Sequence, residues 1–424
     1  HMTIRHCAGL LLALSLTAIA APGGAAAAEA PLAITADMLA EEVLAANRAL
    51  AGRRAATAAR LSEAEAADDL DDPRLMLGAA PNTFGHRLDG RGLIQVSQSL
   101  PWPGKRGLRG AAALAAAAAA GESERVLARE LAARAERLWA EWWYVHEALA
   151  RNAEESRLVE ELAPVAEAQY AAGMGLQQDL LRVQTRALRL EHHRLALGQR
   201  RAALRAEINA LRGRPADAPL AEAAPMPPAP VVAPEEELAD ALLAGHPALA
   251  RLDASLDGAR ARLQLAHKDY WPDFRVYTGY VGTMDPAQKR WQIGAEINLP
   301  FGGDRRRSAV SSAELEQDRL QAERDDLEFR LRAELASALS RLDEAEQTIA
   351  LYRDRIVPLS RQGLDAARAD FESGRGEFAN VIDAETALLD ARLTLARARA
   401  DRLLTVAGIE ALTGIDAGVG RTSP

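Results

Sequence analysis

The chain has 424 residues, 49% of them hydrophobic, and a net charge of -9. That length would fill two or three ordinary domains, and the acidic balance argues against nucleic acid as a partner, because phosphate contacts need an excess of Lys and Arg. Aromatics make up only 4% and a single cysteine, Cys7, is present, so neither a thick globular core nor a disulfide framework is expected.

At the N-terminus Arg5 and His6 precede an apolar run from Cys7 to Ala20, and Ala26-Ala27-Ala28 offers small residues before Glu29. This predicts a signal peptide over residues 1–28. The run falls short of the roughly 20 apolar residues of a membrane-spanning helix. From Thr35 to about Leu70 the pattern is helical until Asp71-Asp72-Pro73 stops it. Leu75, Leu77 and Ala79 then alternate with Met76 and Gly78. A second run places Ile94, Val96 and Leu100 on one face and Gln95, Ser97 and Ser99 on the other. This predicts a β-hairpin at about 74–100, closed by Pro101-Trp-Pro-Gly104. A long helix over 105–170 follows, with a bend expected at Pro164. The Gly-x-Gly of Tyr170-Ala-Ala-Gly-Met-Gly-Leu176 supplies a turn at 172–176, and a return helix covers 176–212.

Residues 214–234 hold seven prolines, from Pro215 to Pro234, and are read as an extended linker. Beyond it the order repeats. A helix over Glu235–Lys268 breaks at Tyr270-Trp271-Pro272, and a hairpin at about 273–299 follows. Its strands set Phe274, Val276, Thr278 and Tyr280 against Arg275, Tyr277 and Gly279. Ile293, Ala295, Ile297 and Leu299 likewise stand against Gln292, Gly294, Glu296 and Asn298. A long helix over 304–371, with Pro358 expected to bend it, leads to a turn at 373–377, a return helix over 377–413 and a tail at 415–424. The second turn, Phe371-Glu-Ser-Gly-Arg-Gly-Glu377, stays in register with the first as far as Ile208-Asn-Ala-Leu-Arg-Gly213 and Ile409-Glu-Ala-Leu-Thr-Gly414. The chain is therefore a tandem duplication, residues 29–213 and 235–414.

Each long helix should be roughly 100 Å long at 1.5 Å per residue. A return helix and a shorter helix laid end to end match that length, Leu176–Leu211 with Glu235–Lys268 and Glu377–Leu412 with Thr35–Leu70. The expectation is a rod of antiparallel helices with both hairpins at one end and both Gly-x-Gly turns toward the other. Heptads such as Leu335, Leu342, Ile349 and Ile356, with Ala338, Ala345, Tyr352 and Leu359, supply coiled-coil seams, as do Val381, Leu388 and Leu395 with Ala384, Ala391 and Ala398. The hairpins leave two readings open. Their apolar faces pack on helices in a soluble protein, or they face lipid in a barrel. Four strands cannot close a barrel with a lumen, so the second reading requires several chains.

Taken together, the signal, the duplication, the strand-closing Leu100-Pro-Trp-Pro-Gly-Lys-Arg106 and Leu299-Pro-Phe-Gly-Gly-Asp-Arg305, the aromatic-x-x-Gly turns and the terminal Ala-Leu-x-Gly resemble the TolC family of bacterial outer-membrane efflux channels. The resemblance implies a mainly α fold with a small β part. Tandem-duplicated coiled coils would form a periplasmic α-barrel, and two hairpins would give four strands to a trimeric twelve-stranded outer-membrane β-barrel. It implies as partners a homotrimer, outer-membrane lipid, a periplasmic adaptor (membrane fusion protein) and an inner-membrane pump of the RND type, with no cofactor. It places Gly173, Met174, Gly175, Leu176, Gly374, Arg375, Gly376 and Glu377 at the tip that meets the adaptor, and Asp179, Asn380 and Asp383 at the constriction. Gly376 stands where some members carry a gating Arg, and Asn380 where some carry Asp. Three copies of Asp383 facing one another would repel, raise one another's pKa and attract cations.

Lys105, Arg106, Arg109 and Arg305 to Arg307 begin helices, where the macrodipole disfavours cations. Lys105, Arg106, Arg305 and Arg306 are read as meeting anionic headgroups. Trp102, Trp271 and Trp291, at strand ends, suit an interfacial aromatic belt. His192-His193 does not share a helix face and is read as exposed. Trp139, Trp142, Trp143 and Tyr144 are read as helix packing. No Ser/His/Asp set, phosphate loop or Cys/His cluster is present in the sequence, which predicts a protein that is not an enzyme. The function expected is a passive exit duct of a tripartite efflux system. The turn sequences look more like the heavy-metal-efflux branch (CusC and CzcC types) than the drug or protein-secretion branches. The alternatives are the outer-membrane duct of a type I protein secretion system and a periplasmic coiled-coil scaffold or adaptor.

Overall fold

The computed structural model describes residues 33–79, 92–173, 175–228, 231–282, 290–373 and 375–415, so the expected signal segment and most of the tail lie outside the described residues. In chain order these hold β1 (Ala33–Ile34), α1 (Ala36–Ala46), α2 (Arg48–Ala66), β2 (Arg74–Ala79), β3 (Gly92–Leu100), α3 (Lys105–Ala171) and α4 (Gln177–Leu211). The second repeat follows as β4 (Glu222–Ala223), α5 (Glu235–Gly245), α6 (Pro247–Lys268), β5 (Phe274–Val281) and β6 (Trp291–Ile297). It ends with α7 (Gly303–Leu351), a π-helical turn (Tyr352–Ile356), α8 (Val357–Glu372) and α9 (Phe378–Thr413).

The expected prolines act differently in the two repeats. α3 runs as one helix of 67 residues through Pro164, about 100 Å at 1.5 Å per residue. Before Pro358 the helix widens into the π turn, which accommodates a ring that would otherwise press on the carbonyl four residues back.

Two helices expected to be continuous are each broken in two. Asn47 leaves the helical conformation, and its side-chain oxygen accepts from the backbone N–H groups of Ala49 and Leu50, so α1 ends and α2 begins there. His246 stands at the same offset that separates Pro73 from Pro272. Its Nδ1 accepts from Ala248 N, with Pro247 at the first helical position of α6. Burial and the nearby Arg129 push the imidazole down to about 4, which keeps that nitrogen free to accept.

These breaks also correct the expected stacking. Asn47 Nδ2 donates to Leu211 O at 3.1 Å, so α4 ends on the start of α2, within its own repeat. Arg129 bridges Gly245 O and Ala411 O at 3.1 and 3.5 Å, so α9 ends on the α5–α6 break. The jointed columns are α4 with α2 and α9 with α6. The crossed pairing fails because each return helix meets the cap residue of its own half.

The seams read from heptads are buried in their upper part, whereas Ile349, Tyr352 and Ile356 are half-buried and Leu359 is exposed. Leu335, Ala338 and Leu342 of α7 pack with Val406 and Ile409 of α9, and Val381 and Leu388 pack with Leu364 of α8. Trp139 and Trp142 are helix packing, as expected, and do more. Their indole N–H groups donate to Ile34 O (2.6 Å) and Ala221 O (3.1 Å). They thereby hold β1 and β4, which pair in parallel, against the middle of α3. This two-residue ladder, which ties the start of the first repeat to the proline-rich linker, had no sequence signal.

Asn47→Ala should lower the thermal unfolding midpoint by an amount corresponding to about 1–2 kcal/mol, the usual worth of such a cap. Asn47→Asp keeps the acceptor and loses only the bond to Leu211, so it should fall between Ala and wild type when melts are followed by circular dichroism.

Candidate functional site

The four long strands form one antiparallel sheet in the order β2-β3-β5-β6. The register puts Leu75, Val96, Thr278 and Ile293 in one row and Leu77, Ile94, Tyr280 and Trp291 in the next. Successive residues of a strand point to opposite faces, so the apolar sets of both hairpins fall on one side. Gln95, Gly279 and Gln292 align on the other, as do Ser97, Tyr277 and Gly294. No helix among the described residues covers the apolar side: Ile293 is 88% exposed, Trp291 73% and Leu77 69%. The outer edges of β2 and β6 carry no strand among the described residues.

The two ends of the sheet are aromatic. Trp102 stacks on Trp271 at 5.0 Å and on Phe274 at 5.7 Å beside the shaft, while Trp291 meets Tyr280 edge-on at the far end. Between them the eight residues of β5 span roughly 27 Å at about 3.4 Å each, close to the apolar band of about 25 Å that outer-membrane barrels present.

The basic residues at the sheet–shaft junction require a correction. Lys105 is only 2% exposed. Its ammonium pairs with Asp269 Oδ1 at 3.1 Å and Asp273 Oδ1 at 3.0 Å, and donates to Trp271 O. A charge buried this deeply must be neutralised locally and is not available to a headgroup. Arg106 and Arg306 donate through Nε to Asp68 O and Asp269 O, closing the C-terminal ends of α2 and α6. These contacts also hold two cations at helix N-termini. Arg305 alone of the four points into solvent without an ion pair among the described residues. His192 and His193 are both exposed on α4.

At the opposite end both tips are built alike. Gly173 takes φ +72. Gly175 N donates to Gln169 O at 3.0 Å, and Arg375 N and Gly376 N both donate to Asp370 O at 2.9 Å. A Cβ on Gly175 would stand 3.1 Å from Gln169 Cβ, and one on Gly376 would stand 2.9 Å from Asp370 Cβ. The second glycine of each Gly-x-Gly is thus required by close approach of the chain to the preceding turn. Met174 and Gly374 lie outside the described residues. Leu176, Arg375 and Glu377 are exposed, and Phe378 is buried edge-on against Phe371.

Asn380 and Asp383 are exposed on α9 and Asp179 is half-buried on α4, none of them in an ion pair among the described residues. An open groove between α3, α7 and α9 is lined by Arg137, Arg341, Thr394, Arg397 and Asp401. It lies opposite the α9 face that carries Arg399, Arg402 and Leu403 toward the linker. Asp390 and Asp383 precede Arg397 at seven-residue intervals, so an acidic file continues the groove toward the tip.

Sequence reasoning missed a buried charge layer inside the lower shaft. Glu155 of α3 pairs with Arg186 of α4, and Glu385 of α9 pairs with Arg368 of α8 at 3.0 Å. Both carboxylates are more than nine-tenths buried, and Oε2 of each lacks a hydrogen-bond partner, as does Oδ1 of Asn152. The signal was available. Glu155 shares a helical file with Val159 and Glu385 with Val381 and Leu388, where an apolar residue is expected. Burial pushes both carboxyls above the usual range. The arginines oppose it, and repulsion from Asp390 on Glu155 and from Glu155 on Glu385 adds to it.

Groups that bind protons more tightly when folded stabilise most below their unfolded pKa, and that contribution is lost as pH rises through the folded value. Lowering the pH from about 7 to about 5 should therefore stabilise the wild type relative to a Glu155→Gln/Glu385→Gln variant. Thermal midpoints measured across that range check it, and parallel profiles would count against the raised carboxyls.

Residues 238–415 match the family model of outer membrane efflux proteins. The cobalt-zinc-cadmium resistance protein CzcC of Cupriavidus metallidurans is 28% identical over 190 residues, which is 44% of this chain and 43% of the relative. The chain thus aligns with less than half of that relative's length. VceC, an outer membrane protein of Vibrio cholerae, has a TM-score of 0.76 at 18% identity, over 89% of this chain and 96% of its own. CusC, a protein that forms a transmembrane channel, has a TM-score of 0.75 at 18% identity, over 89% and 91%. The second repeat thus matches the outer membrane efflux proteins, the first repeat has the same architecture, and the chain as a whole shares the fold of the solved structures of CusC and VceC.

Proposed function

We propose that three copies of the chain close into one tube, and that the tube is the passive exit duct of a tripartite efflux system. The observation that carries this reading is the uncovered apolar face of a sheet with two free edges. Water outside such a face is unfavourable by about 25 cal/mol per Å², and lipid removes the penalty. Because every neighbour in the sheet is antiparallel, β6 of one copy and β2 of the next run in opposite directions, so joining them continues the alternation. A periplasmic scaffold has no use for these strands, and the same helices without them would serve it.

In this reading the polar side of the sheet and the groove of α9 line the conduit. The tips at Gly173–Leu176 and Gly374–Glu377 meet a periplasmic adaptor coupled to an inner-membrane pump of the RND type. Asp179, Asn380 and Asp383 form the constriction. Trp102, Trp271 and Trp291 sit at the two membrane interfaces, consistent with their placement at opposite ends of the strands.

Heavy-metal cations are the proposed cargo. The support is the likeness to CzcC and the acidic file of Asp383 and Asp390, which would raise the local concentration of cations. A strain lacking the gene should become sensitive to cobalt, zinc or cadmium and keep its tolerance of drugs. The reverse pattern would assign the duct to drug export, and a secretion defect with neither sensitivity would assign it to protein secretion. In planar bilayers, Asp383→Ala should reduce cation over anion selectivity severalfold, because three facing carboxylates are removed at once. Unchanged reversal potentials would take Asp383 out of the lumen.

A further inference from the structure

The sheet–shaft junction contains one complete contact and two halves of another. In the first repeat, Arg106 reaches back to the C-terminal carbonyl of α2, and the residue before it, Lys105, reaches forward to the acidic connector between α6 and β5, at Asp269 and Asp273. In the second repeat Arg306 repeats the backward contact, on Asp269 O at the end of α6. The residue before it, Arg305, meets no forward connector among the described residues of its own protomer and is exposed, as is Arg307, whose one ion-pair partner among the described residues is Asp304 on its own helix.

The missing forward partner exists at the opposite edge of the same protomer. The connector between α2 and β2 carries Asp68, Asp69, Asp71 and Asp72, all exposed and in no ion pair among the described residues. It occupies in the first repeat the place that the Asp269–Asp273 connector occupies in the second. Both half-contacts lie on edges left open elsewhere. The acidic connector leads into β2, whose outer side is unpaired, and sits above the column of α2 and α4. That column exposes Leu181, Leu188 and Leu195 at heptad spacing. Arg305 follows β6, the other unpaired strand, and begins the column of α7 and α8, which exposes Leu315, Phe329 and Leu359. Each edge thus presents an open strand, a run of one charge sign and an apolar stripe, in the same order, with opposite charge signs.

We propose that Arg305, seconded by Arg307, is a subunit-interface residue that pairs with the Asp68–Asp72 connector of the neighbouring copy, reproducing between copies the Lys105 contact made within each one. The occupant of this surface is a second copy of the chain. The inference rests on the three-copy assembly of the preceding section, and deepens it by naming the electrostatic seam. Such a pair is more exposed than the Lys105 triad in the lone protomer, but closing the ring would bury both partners between apolar stripes and a strand ladder. There a like-charge mismatch is costly.

The test uses the full-length protein in detergent, read as the temperature at which trimer converts to monomer on a semi-native gel. Arg305→Glu should lower that temperature, and combining it with Asp68→Lys and Asp69→Lys should restore most of the loss. In the otherwise unchanged chain, Arg305→Cys with Asp69→Cys, treated with a short bismaleimide, should give covalent dimers and trimers. A wild type that is trimeric while Arg305→Glu leaves its dissociation temperature unchanged would overturn the seam and leave the duct reading standing. A loss that the acidic-side reversals do not restore, and that appears only in vesicles containing anionic lipid, would overturn it in favour of a headgroup contact. A wild type that never forms trimers would overturn both.

Discussion

The structure depends on a mismatch of area. Two hairpins bring the outward-facing positions of four strands into one largely apolar surface, and no helix among the described residues lies on it. A four-stranded sheet needs a hydrophobic face covered to be stable in water, and here every helix among the described residues is committed to the shaft. In the proposed tube, lipid lies on that face and strands of neighbouring copies join its edges. The polar register of the opposite face fits the same proposal, because closure would turn that side inward.

Duplication gives the molecule its economy, and the departures from it are the informative places. The caps at Asn47 and His246, the first-turn arginines Arg106 and Arg306, and the second tip glycines Gly175 and Gly376 hold equivalent positions and make equivalent bonds. The buried pairs of the lower shaft do not follow the repeat. Glu155 lies on a long helix and Glu385 on a return helix, although each is matched by an arginine from the other arm of its own hairpin. Each pair therefore fastens one hairpin internally, and the two carboxylates oppose one another where the hairpins meet. Lys105 has an acidic residue, Asp304, or a free cation, Arg305, at its counterpart depending on where the loop difference is placed. Only the hydrogen bonds of Arg106 and Arg306 resolve that alignment.

Much of the plan was legible because it is written in periods and punctuation. Alternation marked the strands and placed both faces correctly. Pro73 and Pro272 fixed equal hairpins, and the Gly-x-Gly turns marked the reversals. What was not legible depends on side chains meeting across the chain. Nothing local in Lys105 distinguishes a headgroup contact from a buried triad, since its partners Asp269 and Asp273 are far along the sequence. A cap within an alanine-rich run leaves the apolar period intact, so the pattern does not mark the breaks at Asn47 and His246. Length arithmetic accepts either partner for α4, whereas the bond from Asn47 to Leu211 O accepts one. Glu155 and Glu385 were visible as carboxylates in an apolar file, but their arginines were not.

The two capped breaks have a mechanical consequence. At one height of the shaft, two of its four columns are articulated, held end to end by a few hydrogen bonds from Asn47 and Arg129, while α3 and α7 pass through intact. Torque applied at the tips would therefore pass toward the sheet along the two unbroken columns, while the segmented ones offer a pivot where they abut.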